Sequence, residues 1–221
     1  HDRFTRLSVR VDNSRENHRL RLWVGLPSSP DRVTALSPFE VVDRPLRGEG
    51  FEFEIGSSTW PARGAVLAAG TALLAEGVVE YEVDQDRLGV TLLRAVGMLA
   101  KPILATRPIW AGPSTPTPEG QCLGAYDIEL AVLTEASADQ LVDEWERFAL
   151  PLLDTSTFGG GDATPSNLLR VEGAHLSAVR RIGEALEVRL WNESSEPCSA
   201  TINDRAVEIR PAGIVTITLD D

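Results

Sequence analysis

Gly77-Val78-Val79-Glu80-Tyr81-Glu82-Val83-Asp84-Gln85-Asp86-Arg87-Leu88-Gly89-Val90-Thr91-Leu92-Leu93-Arg94 is the stretch whose reading decides the fold. Apolar and polar residues alternate on both sides of a turn signal, the period of a half-buried strand. With Asp84–Arg87 as a four-residue hairpin loop, Val83 faces Leu88, Tyr81 faces Val90 and Val79 faces Leu92, all on one apolar face. The same register puts Arg94 opposite Gly77, at the end of that face. A guanidinium there has room, and being half-buried it needs an acceptor. After Arg94 the chain makes a long Pro/Gly-rich excursion, closing with Thr117-Pro118-Glu119-Gly120-Gln121-Cys122-Leu123-Gly124, before a new strand at Tyr126–Leu133.

The same alternation recurs outward from this hairpin. Phe4–Val11 and Arg19–Leu26 read as strands around the turn Asp12-Asn13-Ser14, and together suggest an antiparallel pair. Arg32–Arg47 is extended but irregular, and Phe51–Ile55 reads as a strand or edge. Ala65–Ala69 and Thr71–Ala75 are short, apolar and separated by Gly70, which favours a hairpin over a helix. One helix is expected, with Ser137 as N-cap, Leu141, Val142, Trp145, Phe148 and Ala149 on one face, and Pro151 at its end. In the tail, Ala174–Val179, Ala185–Trp191, Ala200–Ile209 and Ile214–Leu219 are strand candidates. The fold expected is all-β: a large antiparallel, supersandwich-like β-sandwich with one short helix, followed by a small β-sandwich or terminal strands. Its boundaries are 1–155 for the large domain, 156–166 for a Gly/Pro-rich linker or loop holding Gly159-Gly160-Gly161, and 167–221 for the small C-terminal domain.

Composition narrows the partners. A net charge of −12 over 221 residues argues against nucleic acid, which needs a basic surface, and against anionic membranes. Cys122 and Cys198 are too few for a disulfide framework, which leaves reduced thiols as the simpler reading and a single long-range bridge as the alternative; no apolar run reaches transmembrane length and no signal peptide is visible, so a cytoplasmic setting is expected. The chain opens at His1 without a methionine, which reads as a fragment or trimmed product.

Little catalytic chemistry is legible. His1, His18 and His175 are far apart, and no metal-ligand spacing, nucleophile elbow or phosphate loop is present, so neither catalytic nor metal-ligating residues are expected in this chain. Glu80 and Glu82 share a strand face, where a solvated face is the plainer reading than a carboxylate pair for glycoside hydrolysis. Asp84 and Asp86 offer a lone Asp-x-Asp to a cation, for which solvated turn residues are the plainer reading. Of the five tryptophans, Trp23 and Trp110 are best placed to stack on a sugar. Asn192-Glu193-Ser194 is a glycosylation sequon, meaningful only in a secreted eukaryotic protein.

Several strings in order carry a resemblance: Ser37-Pro38-Phe39-Glu40-Val41-Val42-Asp43-Arg44-Pro45, Gly77–Val83, Thr91-Leu92-Leu93-Arg94-Ala95-Val96-Gly97, Thr117–Gly124, and in the tail Arg189-Leu190-Trp191-Asn192-Glu193 and Pro211-Ala212-Gly213-Ile214-Val215-Thr216. Together they resemble the C-terminal β region of glycoside hydrolase family 38, the α-mannosidases, in its bacterial, mannosylglycerate-hydrolase-like branch. The resemblance implies a β portion of a retaining glycosidase acting on mannosides. It implies an N-terminal catalytic domain, outside this chain, as the partner and as the place of a zinc ion and the carboxylate nucleophile, so the fragment alone is expected to be inactive. It makes Arg94 the first candidate for the rim of the sugar site, with Glu119 and Gln121 beside it in the matching loop. The other readings are an autonomous carbohydrate-binding β-sandwich and a purely structural domain that buttresses the catalytic part or makes homo-oligomer contacts.

Overall fold

The structure, a computed structural model, describes residues 3–77, 79–152 and 169–219. The chain divides into two compact units, His1–Ser37 with Val42–Pro151, and Pro38–Val41 with Leu152–Asp221. The expected boundary at 155 and the linker at 156–166 lie outside the described residues.

In the first unit the strands are β1 (Thr5–Asn13), β2 (Arg19–Gly25), β3 (Arg32–Ser37), β4 (Glu40–Pro45, its first residues counted with the second unit), β5 (Thr59–Pro61), β6 (Ala65–Ala68), β7 (Thr71–Ala75), β8 (Glu80–Asp84), β9 (Arg87–Arg94) and β10 (Gly124–Thr134). They build a six-stranded sheet ordered β1-β10-β7-β6-β3-β4 and a four-stranded sheet ordered β2-β9-β8-β5. Val33, Ala35, Val66, Leu73 and Leu130 from one sheet and Tyr81, Val83, Leu88 and Val90 from the other share one buried cluster, which makes the pair of sheets a sandwich. The architecture is the all-β sandwich read from the sequence.

The β8–β9 hairpin has the expected register, Tyr81 opposite Val90 and Val83 opposite Leu88. Its loop is tighter than expected. Asp84 and Arg87 are themselves paired, leaving Gln85 (φ 58°) and Asp86 as the two-residue turn. Ala65–Ala75 is the hairpin expected, with Ala69 (φ 45°) and Gly70 (φ 74°) both left-handed between the paired Ala68 and Thr71, as a type I′ turn requires.

Three expectations are corrected. β1 and β2 are not a pair: β1 runs along β10 and β2 along β9, in different sheets. A turn signal marks a reversal, but it does not say which sheet the returning strand joins. Residues 51–55 are not a strand: Phe51 and Glu54 close a tight turn on each other, and Phe51, Phe53 and Ile55 are exposed. Arg32–Arg47, expected to be irregular, holds the regular strands β3 and β4.

The helix α1 (Leu141–Ala149) follows a 3-10 turn at Ala138–Gln140. Ser137 heads that turn and not α1, and its side chain makes no capping bond. Leu141, Val142 and Phe148 are buried, and Trp145 Nε1 donates to Ala75 O at 3.1 Å with its ring over Gly64. A Cβ at Gly64 would lie 2.2 Å from that ring, so only glycine lets α1 approach this closely. Among the described residues no helix is long and apolar enough to cross a membrane.

The second unit is a small sandwich of its own. Its strands are β11 (Val171–Glu172), β12 (His175–Ile182), β13 (Ala185–Trp191), β14 (Cys198–Ile202), β15 (Arg205–Ile209) and β16 (Ile214–Leu219), in sheets ordered β11-β14-β15 and β12-β13-β16. Val188, Leu190 and Ile217 from one sheet meet Ala200, Ile202 and Ile209 from the other. The stretch Ala200–Ile209, expected as one strand, is a hairpin turning at Asn203 (φ 51°). Residues 38–41 complete the unit: Val41 N–H donates to Glu193 O at 3.0 Å, and the Phe39 ring stands edge-on to Trp191 at 5.8 Å. Asn192 is buried, its amide donating to Glu196 O at 2.7 Å and to Arg210 O at 3.2 Å. The sequon is therefore a structural turn, with no side-chain nitrogen offered to a glycan. Cys122 and Cys198 are free thiols, and burial pushes the Cys198 thiol up.

Candidate functional site at Arg94

A bulge decides where Arg94 points. Opposite β2, Leu20 pairs with Leu93 and Arg21 pairs with Thr91, so β9 carries one extra residue at Leu92. Strict alternation would continue Leu88, Val90 and Leu92 to an inward Arg94. The extra residue reverses the parity: Leu93 and Ala95 are buried, and Arg94 is exposed, directly opposite Arg19. The expected place of Arg94 beside Gly77 is therefore corrected. The β8–β9 ladder ends at Tyr81, and nothing lies within 4 Å of where a Gly77 side chain would begin. Val79, expected to face Leu92, is likewise outside β8 and exposed.

Arg94 joins the polar outer face of the four-stranded sheet. Arg19 pairs with Glu80 at 3.2 Å, and Arg21 pairs with Glu82. Thr91 Oγ1 donates to Glu80 Oε1 at 2.7 Å, Ser58 Oγ donates to Glu82 Oε1 at 2.6 Å, and Arg21 donates to Thr59 Oγ1 at 3.1 Å. Glu80 and Glu82 are thus committed to arginines and hydroxyls, which fits a structural ladder better than a free carboxylate pair. Under this face, burial pushes the Tyr81 phenol up, with the Arg44 guanidinium opposing it.

Three adjoining clefts meet at Arg94. One of about 550 Å³ runs over Arg21, Glu80, Glu82 and Arg47. Another, about 330 Å³, is lined by Asn17, His18, Arg19, Val96 and Lys101. The third, about 680 Å³, lies between Val96, Met98, Leu104, Lys101, Arg107 and Thr117. The sequence reading missed Lys101 and Arg107. One signal was available: Lys101 is the only lysine in the sequence.

The other sequence candidates separate. Gln121 is buried at 6% exposure, accepting from Asn17 N–H at 2.8 Å and donating to Asn17 Oδ1 at 3.2 Å, so its amide clamps the 12–17 turn to the long loop. Glu119 is exposed in the 3-10 turn Pro118–Gln121, which adjoins the third cleft at Thr117 and Gly120. Trp23 is half-buried, its ring packed on Gly89 and flanked by the guanidiniums of Arg21 at 5.6 Å and Arg87 at 5.2 Å. Trp110 is 62% exposed and makes no such contact.

No family profile matches the chain. A curated protein of Halalkalibacterium halodurans, named "Putative mannosylglycerate hydrolase", is 27% identical over 134 residues, 58% of this chain and 14% of that protein. The structure of an α-mannosidase from Enterococcus faecalis V583 superposes with a TM-score of 0.74 at 21% identity, over 99% of this chain. A second Enterococcus faecalis structure, of a protein in glycosyl hydrolase family 38, gives 0.72 at 22% identity over 97% of this chain. The fold is that of part of a family 38 glycoside hydrolase. The resemblance carried by the sequence strings is met again in the three-dimensional match. The chain spans 27% and 28% of those two solved chains.

Placed on this family 38 fold, the strings that carried the resemblance gather at recognisable points. Ser37–Pro45 closes the β3–β4 hairpin, Thr91–Gly97 is the bulged end of β9, and Thr117–Gly124 is the loop that Gln121 pins. The last two border the clefts at Arg94.

Proposed function

We propose that this chain is the C-terminal β portion of a retaining, α-mannosidase-type glycoside hydrolase of family 38, and that it supports a catalytic portion and borders its sugar site. The observation that carries the reading is a partial match with an unburied apolar surface. The chain takes up nearly all of its own length in the match but 27% of the solved α-mannosidase chain. Phe51, Phe53, Ile55, Ile103, Ile109 and Trp110 meanwhile lie exposed on two loops of the first unit, tied by Ile55 N–H to Thr106 O at 2.8 Å and by Arg107 to Glu54 at 3.5 Å. Large apolar groups concentrated on two apposed loops mark a contact surface. Its occupant in this reading is the rest of the hydrolase, which the longer relatives possess.

The residues around Arg94 do not fit a zinc ion. The clefts present guanidiniums and an ammonium, and Glu80 and Glu82 already hold arginines. Zinc and the nucleophilic carboxylate therefore belong, in this reading, to the catalytic portion, and Arg94 and Glu119 act at the rim. Gln121 acts by holding the loop that carries Glu119.

A second reading, an autonomous carbohydrate-binding sandwich, draws on the open ring of Trp110. The two separate in one assay. The polypeptide that contains this chain and its catalytic portion is expected to release aryl alcohol from an aryl α-mannoside, and this chain alone is expected to release none. Turnover by the chain alone would sink the proposal, and saturable binding of mannosides to it, lost in Trp110→Ala, would establish the second reading.

A further inference from the structure

The first unit presents four sheet edges, β1 and β4 of one sheet and β2 and β5 of the other. An unpaired edge offers a row of N–H and C=O groups to any extended chain, and folds usually blunt it with a proline, a bulge or brevity. β4 ends in Pro45, β5 is three residues long and ends in Pro61, and β2 runs along the bulge at Leu92. β1 has none of these devices. Its nine residues, Thr5–Asn13, pair with β10 without a break in register and include no proline. Among the described residues, no backbone hydrogen bond leaves its free side.

The two faces of β1 differ. Leu7, Val9 and Val11 form the inner row and are only half-buried, Leu7 and Val9 lying against the core. Arg6, Ser8, Arg10 and Asp12 alternate with them on the exposed face. A second copy of β1 laid antiparallel alongside, about a two-fold axis, must face odd residues with odd and even with even. Otherwise the apolar row of one copy would continue into the polar row of the other. Three central registers satisfy this. With the axis at Ser8, Arg6 faces Arg10; with the axis at Arg10, Arg10 faces itself. Like charges directly opposite oppose pairing. With the axis at Val9, Arg6 faces Asp12 at both ends, Arg10 faces Ser8, Leu7 faces Val11 and Val9 faces itself. Only this register pairs unlike charges outside and apolar residues inside. Arg6 also donates to Phe148 O at 3.4 Å, and a guanidinium with five N–H groups can serve both partners.

We propose that β1 is a self-association edge: two copies of this chain pair antiparallel through β1, centred on Val9, and join their six-stranded sheets into one continuous sheet. The charge complementarity of the strand with itself names the second copy as the occupant. The proposal goes beyond the hydrolase reading and does not depend on it, since that reading places its contact surface on the two apolar loops.

Sedimentation of the full chain over a range of concentrations is expected to show a monomer–dimer equilibrium. Asp12→Arg sets arginine against arginine at both ends of the pairing and is expected to weaken the dimer about tenfold, a deficit that shrinks as salt rises. Arg6→Asp sets acid against acid, with the same result. Mixed in equal amounts, the two variants face unlike charges again and are expected to associate with each other about as tightly as the native chain does with itself. Arg6→Asp also gives up the contact with Phe148, so Asp12→Arg and its salt dependence carry the test alone where that variant does not fold. The proposal is overturned by a chain that stays monomeric at every concentration, by a dimer indifferent to Asp12→Arg, by a deficit that salt leaves unchanged, or by a mixture of folded variants no tighter than either alone. It is overturned as well if the longer hydrolase is monomeric with its β1 amides protected from exchange, which would give the edge to a strand of that polypeptide. None of these outcomes bears on aryl-mannoside turnover, so either idea can fail alone.

Discussion

Arg19 and Arg94 stand directly opposite each other across β2 and β9, two arginines on one face of the sheet. Like charges placed this way oppose the pairing of the strands. Glu80 relieves Arg19 at 3.2 Å, and nothing among the described residues relieves Arg94. Arg94→Thr is therefore expected to raise stability, by about 0.2–1 kcal/mol, with the gain shrinking as salt screens the pair. Urea unfolding at low and high ionic strength, in a buffer without phosphate, measures it. A destabilised variant would mean that Arg94 has an acceptor after all.

Gln121 behaves as the opposite kind of residue. Its amide is buried and doubly bonded to Asn17, while Asn13 Nδ2 donates to Gln121 O at 3.0 Å. Truncation leaves the buried-side Asn17 N–H without its acceptor and leaves Asn17 Oδ1 with the Gly97 N–H alone, so Gln121→Ala should cost about 1–3 kcal/mol. Glu119→Ala, two residues earlier and exposed, should stay within about 0.5 kcal/mol. Equal losses in the two variants, read from urea midpoints, would contradict the clamp.

What the sequence disclosed and what it hid follow from the physics of strands. Tyr81, Val83, Leu88 and Val90 were placed correctly because a period of two is local and a tight turn fixes register. The extra residue at Leu92 was not legible, since Thr91-Leu92-Leu93 has the composition of plain strand, and the bulge exists only against the partner strand β2. That single residue turned Arg94 from an inward, half-buried group into an outward one. Phe51–Ile55 failed for a related reason: alternation says that one side is apolar, not that anything covers it. The place of Lys101 and Arg107 beside Arg94 exists only once the long loop lies against the end of β9, and the sequence marks Lys101 by its rarity alone.

Trp23 lies on Gly89, and a Cβ there would sit 2.7 Å from the ring. Gly89→Ala must displace the indole or the strand. It should cost about 1–3 kcal/mol, the usual range for overpacking, and should alter tryptophan emission in the folded state. An unchanged emission spectrum with unchanged stability would show that the ring does not rest there.

Phe51 and Trp110 are exposed at 72% and 62%. Their burial contributes nothing to this chain alone, so the double variant Phe51→Ser, Trp110→Ser should keep its stability within about 0.5 kcal/mol per site and bind less hydrophobic dye. In the longer hydrolase proposed above, the same changes are expected to loosen the assembly and lower turnover. Full turnover with an unchanged unfolding profile would remove these loops from the contact surface.

In the second unit, His175 Nε2 lies 3.1 Å from Glu193 Oε2. The hydrogen bond from His175 holds the Glu193 carboxyl below the usual carboxylate range, against burial, which pushes it up. A carboxylate whose pKa is lower folded than unfolded binds fewer protons in the native state. Its contribution is therefore complete above the unfolded value, about 4.3 for a glutamate, and is lost as pH falls through the depressed native value. Glu193→Gln removes that contribution at every pH. The stability gap between the native chain and Glu193→Gln should accordingly be open at pH 5 and close as pH falls below about 4. Unfolding followed through the methyl signals of Leu190 and Ile217, inside the second unit, reads this gap without interference from the first. A gap that stayed constant down to pH 3, or that widened on acidification, would show that the carboxylate is not held by His175.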